Sequence, residues 1–225
     1  MQIKILASGS NGNCTILRDN DGNQIILDCG VGFDKITVEL EWGKPISCLI
    51  SHKHGDHYNI QSIKRLELVG IKIFSEEQFS KNSYFVTNGY NVVAVRLPHC
   101  SECDSWAFVI YNTIEKKSLF FATDCTELPN VADKPFDLFM IENTYDKDTV
   151  FLNEAKGRVR NIGYLNHLPM EYVLSWLEKR KNKPRNLIVS HLSNSGNICV
   201  QQIKERYKGQ AGQVFIANQN LFIEF

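Results

Sequence analysis

The 225-residue chain predicts an α+β fold: a layered sandwich of sheets flanked by helices, with a site along one edge. Three observations carry this expectation. Short apolar segments punctuated by turn residues dominate the first third. Later segments mix helix-period and strand-like patterns, and every candidate ligand side chain falls at or near the end of a predicted strand.

In chain order, Ile3–Ala7, Cys14–Leu17, Gln24–Leu27 and Ile46–Ile50 are apolar runs, with Gly-Ser-Asn-Gly and Asn-Asp-Gly-Asn as turns between the first three. They predict strands. Phe33–Trp42 and Ile60–Val69 place apolar residues three and four apart (Ile36 with Leu40; Ile60, Ile63 and Leu66), the spacing of helices that bury one face. Further strands are expected at Ile71–Phe74, Val92–Leu97, Trp106–Tyr111, Leu119–Ala122 and Leu138–Ile141. Residues 143–166 are polar and predict no element. Met170–Lys179 then reads as a helix (Tyr172, Val173, Trp176, Leu177), Leu187–Ser190 as a strand, Ile198–Tyr207 as a helix, and Val214–Ala217 and Leu221–Phe225 as strands. No repeat, linker or low-complexity segment interrupts this order, so one domain over residues 1–225 is expected.

No run of eighteen apolar residues is present, and Met1–Leu6 reads as a strand rather than a leader, so a soluble cytoplasmic protein without a membrane segment is expected. Seven scattered cysteines, an odd number, fit free thiols in a reducing compartment. Cys100-Ser101-Glu102-Cys103 is a CxxC beside His99, but no second CxxC completes a zinc site, so these are read as free thiols too. The formal net charge is zero. Within 151–185, however, eight basic residues (Lys156, Arg158, Arg160, Lys179, Arg180, Lys181, Lys183, Arg185) face three acidic ones (Glu154, Glu171, Glu178). Such a stretch either attracts a polyanion or supplies cations to a helix C-terminus, and both readings stay open.

The most informative segment is His52-Lys53-His54-Gly55-Asp56-His57, three imidazoles and a carboxylate directly after the apolar run Ile46–Ile50. Imidazole and carboxylate together suit zinc, iron or manganese. The spacing lets His52 and His54 point one way while Asp56 and His57 reach another, which predicts two adjacent metals. The chain has six histidines, and the other three, His99, His167 and His191, fall just after or near predicted strand ends.

These segments resemble the five-part pattern of the metallo-β-lactamase-fold hydrolases over almost the whole chain. Leu27-Asp28-Cys29-Gly30 resembles the motif closing the third strand. Ser51–His57 is a complete HxHxDH, and His99, Asp124 and His191 fall in the remaining places. The resemblance implies a four-layer αββα sandwich with the metal site at one edge of the two sheets. It further implies that His52, His54 and His99 hold one divalent metal, that Asp56, His57 and His191 hold a second, and that Asp124 bridges them, with zinc favoured over manganese or iron. Asp28 would orient the HxHxDH loop. Within the superfamily the chain is most similar to the YycJ/WalJ-type group and more distantly to tRNase Z. Leu6-Ala7-Ser8-Gly9-Ser10-Asn11-Gly12-Asn13 resembles the SGSxGN opening of the former, from which backbone amides near an anionic substrate are expected. Asn166–Glu171 and Ser190–Asn197 resemble its GHLS and HLSxxNN segments, with Asn166 and Pro169 as departures.

The same resemblance makes His167, paired with Glu142, a proton donor to a leaving group; Asp56, His167 and Glu142 are thus the candidate catalytic residues. A β-lactamase would be exported, with a cysteine common at its second metal, so antibiotic hydrolysis is disfavoured. A protonated imidazole suits expulsion of an alkoxide, and Arg158, Arg160 or the 179–185 cluster would meet phosphate charge. The expectation is therefore a phosphodiesterase or nuclease acting on nucleic acid ends or nucleotides through metal-activated water. A lactone or thioester hydrolase, or a metal-binding sensor without turnover, is the alternative. Tyr58, Tyr145 and Tyr164 would stack bases or pack.

Overall fold

In the computed structural model, residues 1–100, 103–156, 164–193, 196 and 199–225 are described. Two mixed sheets stack face to face. The first has the order β13-β1-β2-β3-β4-β5, built from β1 (Gln2–Ala7), β2 (Cys14–Arg18), β3 (Gln24–Leu27), β4 (Ile46–Leu49), β5 (Lys72–Phe74) and the C-terminal β13 (Phe222–Glu224). The second has the order β12-β11-β10-β9-β8-β7-β6, from β6 (Tyr84–Thr87), β7 (Tyr90–Leu97), β8 (Ser105–Asn112), β9 (Lys117–Ala122), β10 (Leu138–Glu142), β11 (Asn186–Ser190) and β12 (Gln213–Ile216).

Period-two alternation distributes each strand between two cores. Ile3, Ile5, Leu17, Ile25, Leu27 and Leu49 of the first sheet meet Val92, Phe108, Leu119, Phe121, Leu138 and Met140 of the second in the central core. The residues between them face outward. Ile16, Ile26 and Cys48 pack on Ile36 of α1 (Phe33–Thr37) and on Ile63 and Leu66 of α2 (Ile60–Leu68). Phe120, Phe139, Ile141, Leu187 and Val189 pack on Met170, Val173 and Leu177 of α5 (Met170–Glu178) and on Ile203 of α6 (Val200–Arg206). Helices thus cover both outer faces, which gives the αββα order. Burying Val173 and Leu177 stabilises by about 1.5–3 kcal/mol each, so α5 is held by its apolar stripe.

Parallel pairing runs β3-β4-β5 in one sheet and β9-β10-β11-β12 in the other. Strands buried on both faces need apolar residues at every position, which is why β9, β10 and β11 read as continuous runs. Because neighbouring parallel strands end on the same side, the segments after β3, β4, β9, β10 and β11 meet along one edge. His99, following β7, joins them, since two antiparallel steps through β8 bring β7 parallel to β9.

Three elements were not anticipated: β6, α3 (Glu76–Phe79) and α4 (Lys147–Ala155). The helix expected over Phe33–Trp42 is cut to Phe33–Thr37, beyond which Glu39 N–H donates to Ile36 O in a tighter turn that still buries Leu40. Ile198, expected to begin the α6 helix, lies outside the described residues.

Candidate metal centre

Two glycine-dependent approaches set the edge. Gly12 has φ +140°, and a Cβ there would lie 2.8 Å from Gly30 O; a Cβ on Gly30 would lie 1.7 Å from Asp56 O. Only bare backbone lets the SGSNGN turn, the segment after β3 and the HxHxDH loop pack this closely. The turn's amides serve that packing. Gly9 N–H donates to Asn13 Oδ1, Gly12 N–H to Gly9 O and Asn13 N–H to Asp56 O, at 2.8, 2.9 and 2.6 Å. The expectation that backbone amides here approach an anionic substrate is therefore corrected for these three: two close the turn on itself, and Asn13 N–H braces the His52–His57 loop. Asn13 Nδ2 reaches the same loop, 2.8 Å from His57 Nε2 and 3.3 Å from Asp56 Oδ2.

Asp28, buried at the end of β3, organises the loop as expected. Its Oδ1 accepts Ser51 N–H at 2.7 Å, and its Oδ2 faces His57 Nδ1 at 2.7 Å and the Ser51 hydroxyl at 2.9 Å. Ser51 Oγ, having donated to Asp28, can accept from His52 Nδ1 at 3.0 Å. One carboxylate thereby orients two rings, His57 directly and His52 through a hydroxyl. Across the edge, Glu142 repeats the device. Fully buried at the end of β10, its Oε2 lies 3.0 Å from His167 Nδ1 and accepts the Thr144 hydroxyl at 2.9 Å, and Thr144 Oγ1 faces His191 Nδ1 at 3.2 Å. Glu142 Oε1 also accepts Cys125 N–H at 2.6 Å.

These anchors leave inward-facing nitrogens. His52 Nε2 is 3.0 Å from His54 Nδ1, which is 3.2 Å from His99 Nε2, while His99 Nδ1 donates to Asn166 O at 3.1 Å. Asp124 Oδ2 lies 3.7 Å from His52 Nε2, and its Oδ1 lies 3.4 and 3.3 Å from the Nε2 atoms of His57 and His191. Asp56 Oδ2 completes the second group, 3.5 Å from His57 Nε2 and 3.6 Å from His191 Nε2. All seven side chains expected to hold metal thus converge as two groups, His52/His54/His99/Asp124 and Asp56/His57/Asp124/His191, with the donor atoms of each within 4.8 Å of one another. Asp124 belongs to both, one oxygen to each.

The protonation states follow from how closely these groups sit, and a cation entering would have to displace the second proton that the carboxylates hold on His57. Burial, then the neighbouring His57, hold His52 down to about 2, so its ring keeps a free lone pair. His57 is raised well above the usual range, because Asp124 and Asp28 outweigh the opposing burial. Asp124 is held well below the carboxylate range by His57 and His191 against its own burial. His191 Nε2 is buried without a hydrogen-bond partner, an expensive arrangement for a polar atom that a cation would relieve. Asp28, Asp124 and His191 all adopt positive φ (60°, 46° and 54°), a backbone strain placed at the three strand ends that build the edge.

His167 sits beside these groups, its ring stacked on His191 with centroids 5.1 Å apart, and its side chain is 16% exposed. Burial opposes the charged ring, yet the hydrogen bond and charge of Glu142 prevail and raise it to about 9. The departures at Asn166 and Pro169 do not disturb this. Asn166 contributes its carbonyl, which any residue has, and Pro169 occupies the N-cap position of α5 at φ −76°, where its ring is at ease.

The basic stretch is corrected in part. Arg180 is buried, donating to Val131 O and Ala132 O, and Lys183 Nζ donates to Leu177 O at the C-terminus of α5. Arg185 precedes β11 and His191 follows it, so Arg185 stands about 20 Å from His191 at about 3.3 Å per residue. Lys183 thus holds a helix end, while Arg185 pairs with Asp137 at 3.3 Å. Arg158 and Arg160 lie outside the described residues, as do Asn194, Ser195 and Asn197 of the HLSxxNN-like segment. Tyr145 and Tyr164 pair with each other, centroids 5.1 Å apart and both half-buried. Ser8, Asn13, Ser51 and Thr144 were not singled out as site residues, although the first three stand within motifs that were; Ser8 Oγ accepts His191 N–H at 2.9 Å.

No protein-family model and no curated protein matches the sequence. Among the described residues, no helix is long and apolar enough to cross a membrane. Solved structures do match. The metallo-β-lactamase fold protein YhfI from Bacillus subtilis superposes with TM-score 0.74 at 14% identity, covering 100% of this chain and 99% of that one. Zn2+-bound PqqB from Methylobacterium extorquens superposes with TM-score 0.72 at 12% identity, covering 100% of both chains. The short form of human tRNase Z superposes with TM-score 0.62 at 17% identity, covering 100% and 99%. With two stacked mixed sheets, helices on both outer faces and its histidine–aspartate cluster at one sheet edge, the chain has the metallo-β-lactamase fold.

Proposed function

We propose that the chain is a binuclear metal-dependent hydrolase that cleaves phosphodiesters at nucleic acid ends or in nucleotides. The observation that carries the reaction class is the 3.0 Å pairing of His167 Nδ1 with the buried Glu142 Oε2 beside the metal-binding groups. The fold shared with a tRNase Z supports it. His52 Nε2, His54 Nδ1 and His99 Nε2 would hold one divalent cation, and Asp56, His57 Nε2 and His191 Nε2 the other, with Asp124 between them; zinc fits these nitrogen and oxygen donors best.

When bound, such cations lower the pKa of water and offset charge on a phosphate. The remaining work falls to the chain. Asp28 and Ser51 hold His57 and His52 in the tautomers that turn Nε2 inward. Glu142 keeps His167 protonated, and the imidazolium gives that proton to the departing alkoxide oxygen; Glu142 then remains as the buried anion that favours reprotonation. A lactone or thioester has less use for this pair.

The test is a substrate panel in zinc and in manganese: bis-para-nitrophenyl phosphate, end-labelled single-stranded DNA, and a set of lactones and thioesters. Wild type should cleave the phosphodiesters, Asp56→Ala should lose all turnover, and His167→Ala should keep its metals while losing most activity on poor leaving groups. Activity confined to lactones or thioesters and surviving His167→Ala would eliminate the proposal. Fewer than one metal per chain in carefully purified protein would sink the binuclear centre.

A further inference from the structure

His54 differs from the other candidate ligands in what lies behind it. Its Nδ1 faces His52 and His99, and its Nε2 faces two thiols: Cys103 Sγ at 3.4 Å and Cys100 Sγ at 3.9 Å, with the sulfurs 3.5 Å apart. The CxxC that lacked a partner in sequence has found one in space. A tetrahedral zinc with Zn–S of about 2.3 Å and Zn–N of about 2.05 Å has S···S edges of about 3.8 Å and S···N edges of about 3.6 Å. The three observed separations match those edges to about 0.3 Å, so one cation could touch all three atoms without rebuilding the loop.

Competing explanations account for less. Thiol hydrogen bonds, His54 Nε2 with Cys103 Sγ and Cys100 Sγ donating to Cys103 O at 3.6 Å, account for the contacts pairwise but not for three donor atoms spaced as the edges of one coordination tetrahedron. A disulfide needs the sulfurs at about 2.05 Å and would remove both as acceptors for the ring. Both nitrogens of the neighbouring His99 are already engaged, Nε2 facing His54 Nδ1 and Nδ1 donating to Asn166 O, so solvent would complete the set. All three residues are half-buried, so an ion can reach them from solvent.

We propose that Cys100, Cys103 and His54 Nε2 form a separate site for a thiophilic divalent cation of the zinc and cadmium class at the rim of the edge, with solvent as fourth donor. On binding, each thiol releases its proton to solvent as a sulfur lone pair goes to the cation. A neutral imidazole has one free lone pair. Filling this site and the His54 Nδ1 position together therefore requires the ring's remaining proton to leave as well, so occupancy of the two positions is linked. The proposal rests on the reading above only through this shared ring.

The experiment titrates the reduced, metal-stripped full chain anaerobically with Cd2+ and with Co2+, in wild type and in Cys100→Ser/Cys103→Ser. Wild type should develop a thiolate-to-metal charge-transfer band in the ultraviolet. The double variant should lose that band and one metal equivalent, while keeping the cobalt d–d spectrum of the histidine–aspartate groups and its circular dichroism. A wild type that fills with cobalt but shows no thiolate band overturns the proposal, and so does a band that persists in the double variant. A thiolate band in wild type with no cobalt held by the double variant would support this site and instead refute the histidine–aspartate centre, so the two failures are distinguishable.

Discussion

Glu142→Gln isolates the proton donor without emptying the space it fills. Gln keeps one carbonyl oxygen, which can still accept Cys125 N–H, but turns an amide N–H2 toward Thr144 and His167. His167 Nδ1 then faces a donor and must itself accept, so the ring becomes neutral. In wild type, Glu142 raises His167 to about 9; without that charge its pKa falls toward about 6.5, because burial and His57 are then opposed only by the more remote Asp124. At about pH 8 the protonated fraction drops from about 0.9 to about 0.03, a loss of about thirtyfold in available acid. The sign is that of a general acid: wild-type turnover falls as pH rises through about 9, and in the variant this limb moves acidward. The assay is kcat/KM against pH for two phosphodiesters, one expelling an alkoxide and one a nitrophenolate that leaves without a proton. Metal content is measured alongside, since Glu142 also reaches His191 through Thr144. The reasoning is refuted if both substrates slow equally at unchanged metal content, or if the alkaline limb stays in place.

Three further outcomes are expected. Asp28→Ala removes the acceptor that orients His57 and, through Ser51, His52; zinc affinity by equilibrium dialysis should fall about 10–100-fold with circular dichroism unchanged. Gly30→Ala forces a Cβ against Asp56 O and should lower stability by about 3 kcal/mol or more, read as a fall in melting temperature together with metal content; an unchanged melting temperature would show that the segments can part. Leu177→Ala leaves a cavity under α5 and should cost about 2–5 kcal/mol in urea unfolding while metal content stays as in wild type.

Strand positions were readable from sequence wherever burial on both faces demanded unbroken apolar runs, as in β3, β10 and β11. The same logic explains the omissions. Strand β6 lies at a sheet edge with Tyr84 and Val86 exposed, and α4 buries Val150 while exposing Phe151 and Leu152, so neither shows a periodic face. What could be read for the two missed helices was capping chemistry: Asp146 accepts Thr149 N–H at α4, and Gln78 Oε1 accepts Ser75 N–H at α3. At the site, the ligand types were readable because imidazole and carboxylate in HxHxDH spacing have few other uses. The hydroxyls of Ser51 and Thr144 were not, since a hydroxyl acquires a role only when folding places a carboxylate on one side and a ring on the other. Arg180 misled for the opposite reason: a charge reads as exposed until a structure shows two carbonyls receiving it.

The placement of ring nitrogens ties these observations together. A histidine offers one lone pair inward only if its other nitrogen carries the proton and has somewhere to put it. His57 has Asp28, His52 has Ser51, His99 has the Asn166 carbonyl and His191 has Thr144, four oxygen acceptors that fix four Nε2 atoms inward. His54 alone is turned over, Nδ1 inward, and its outward nitrogen meets sulfur. Oxygen acceptors compete poorly for soft cations, so the outward protons of the first four rings stay where they are when metal is present. Sulfur competes well, so His54 is the one ring whose outward proton can be exchanged for an ion. The weakest fixed tautomer of the centre therefore lies at the half-buried rim, where ions arrive, and the most strongly fixed, on His57, lies in the interior.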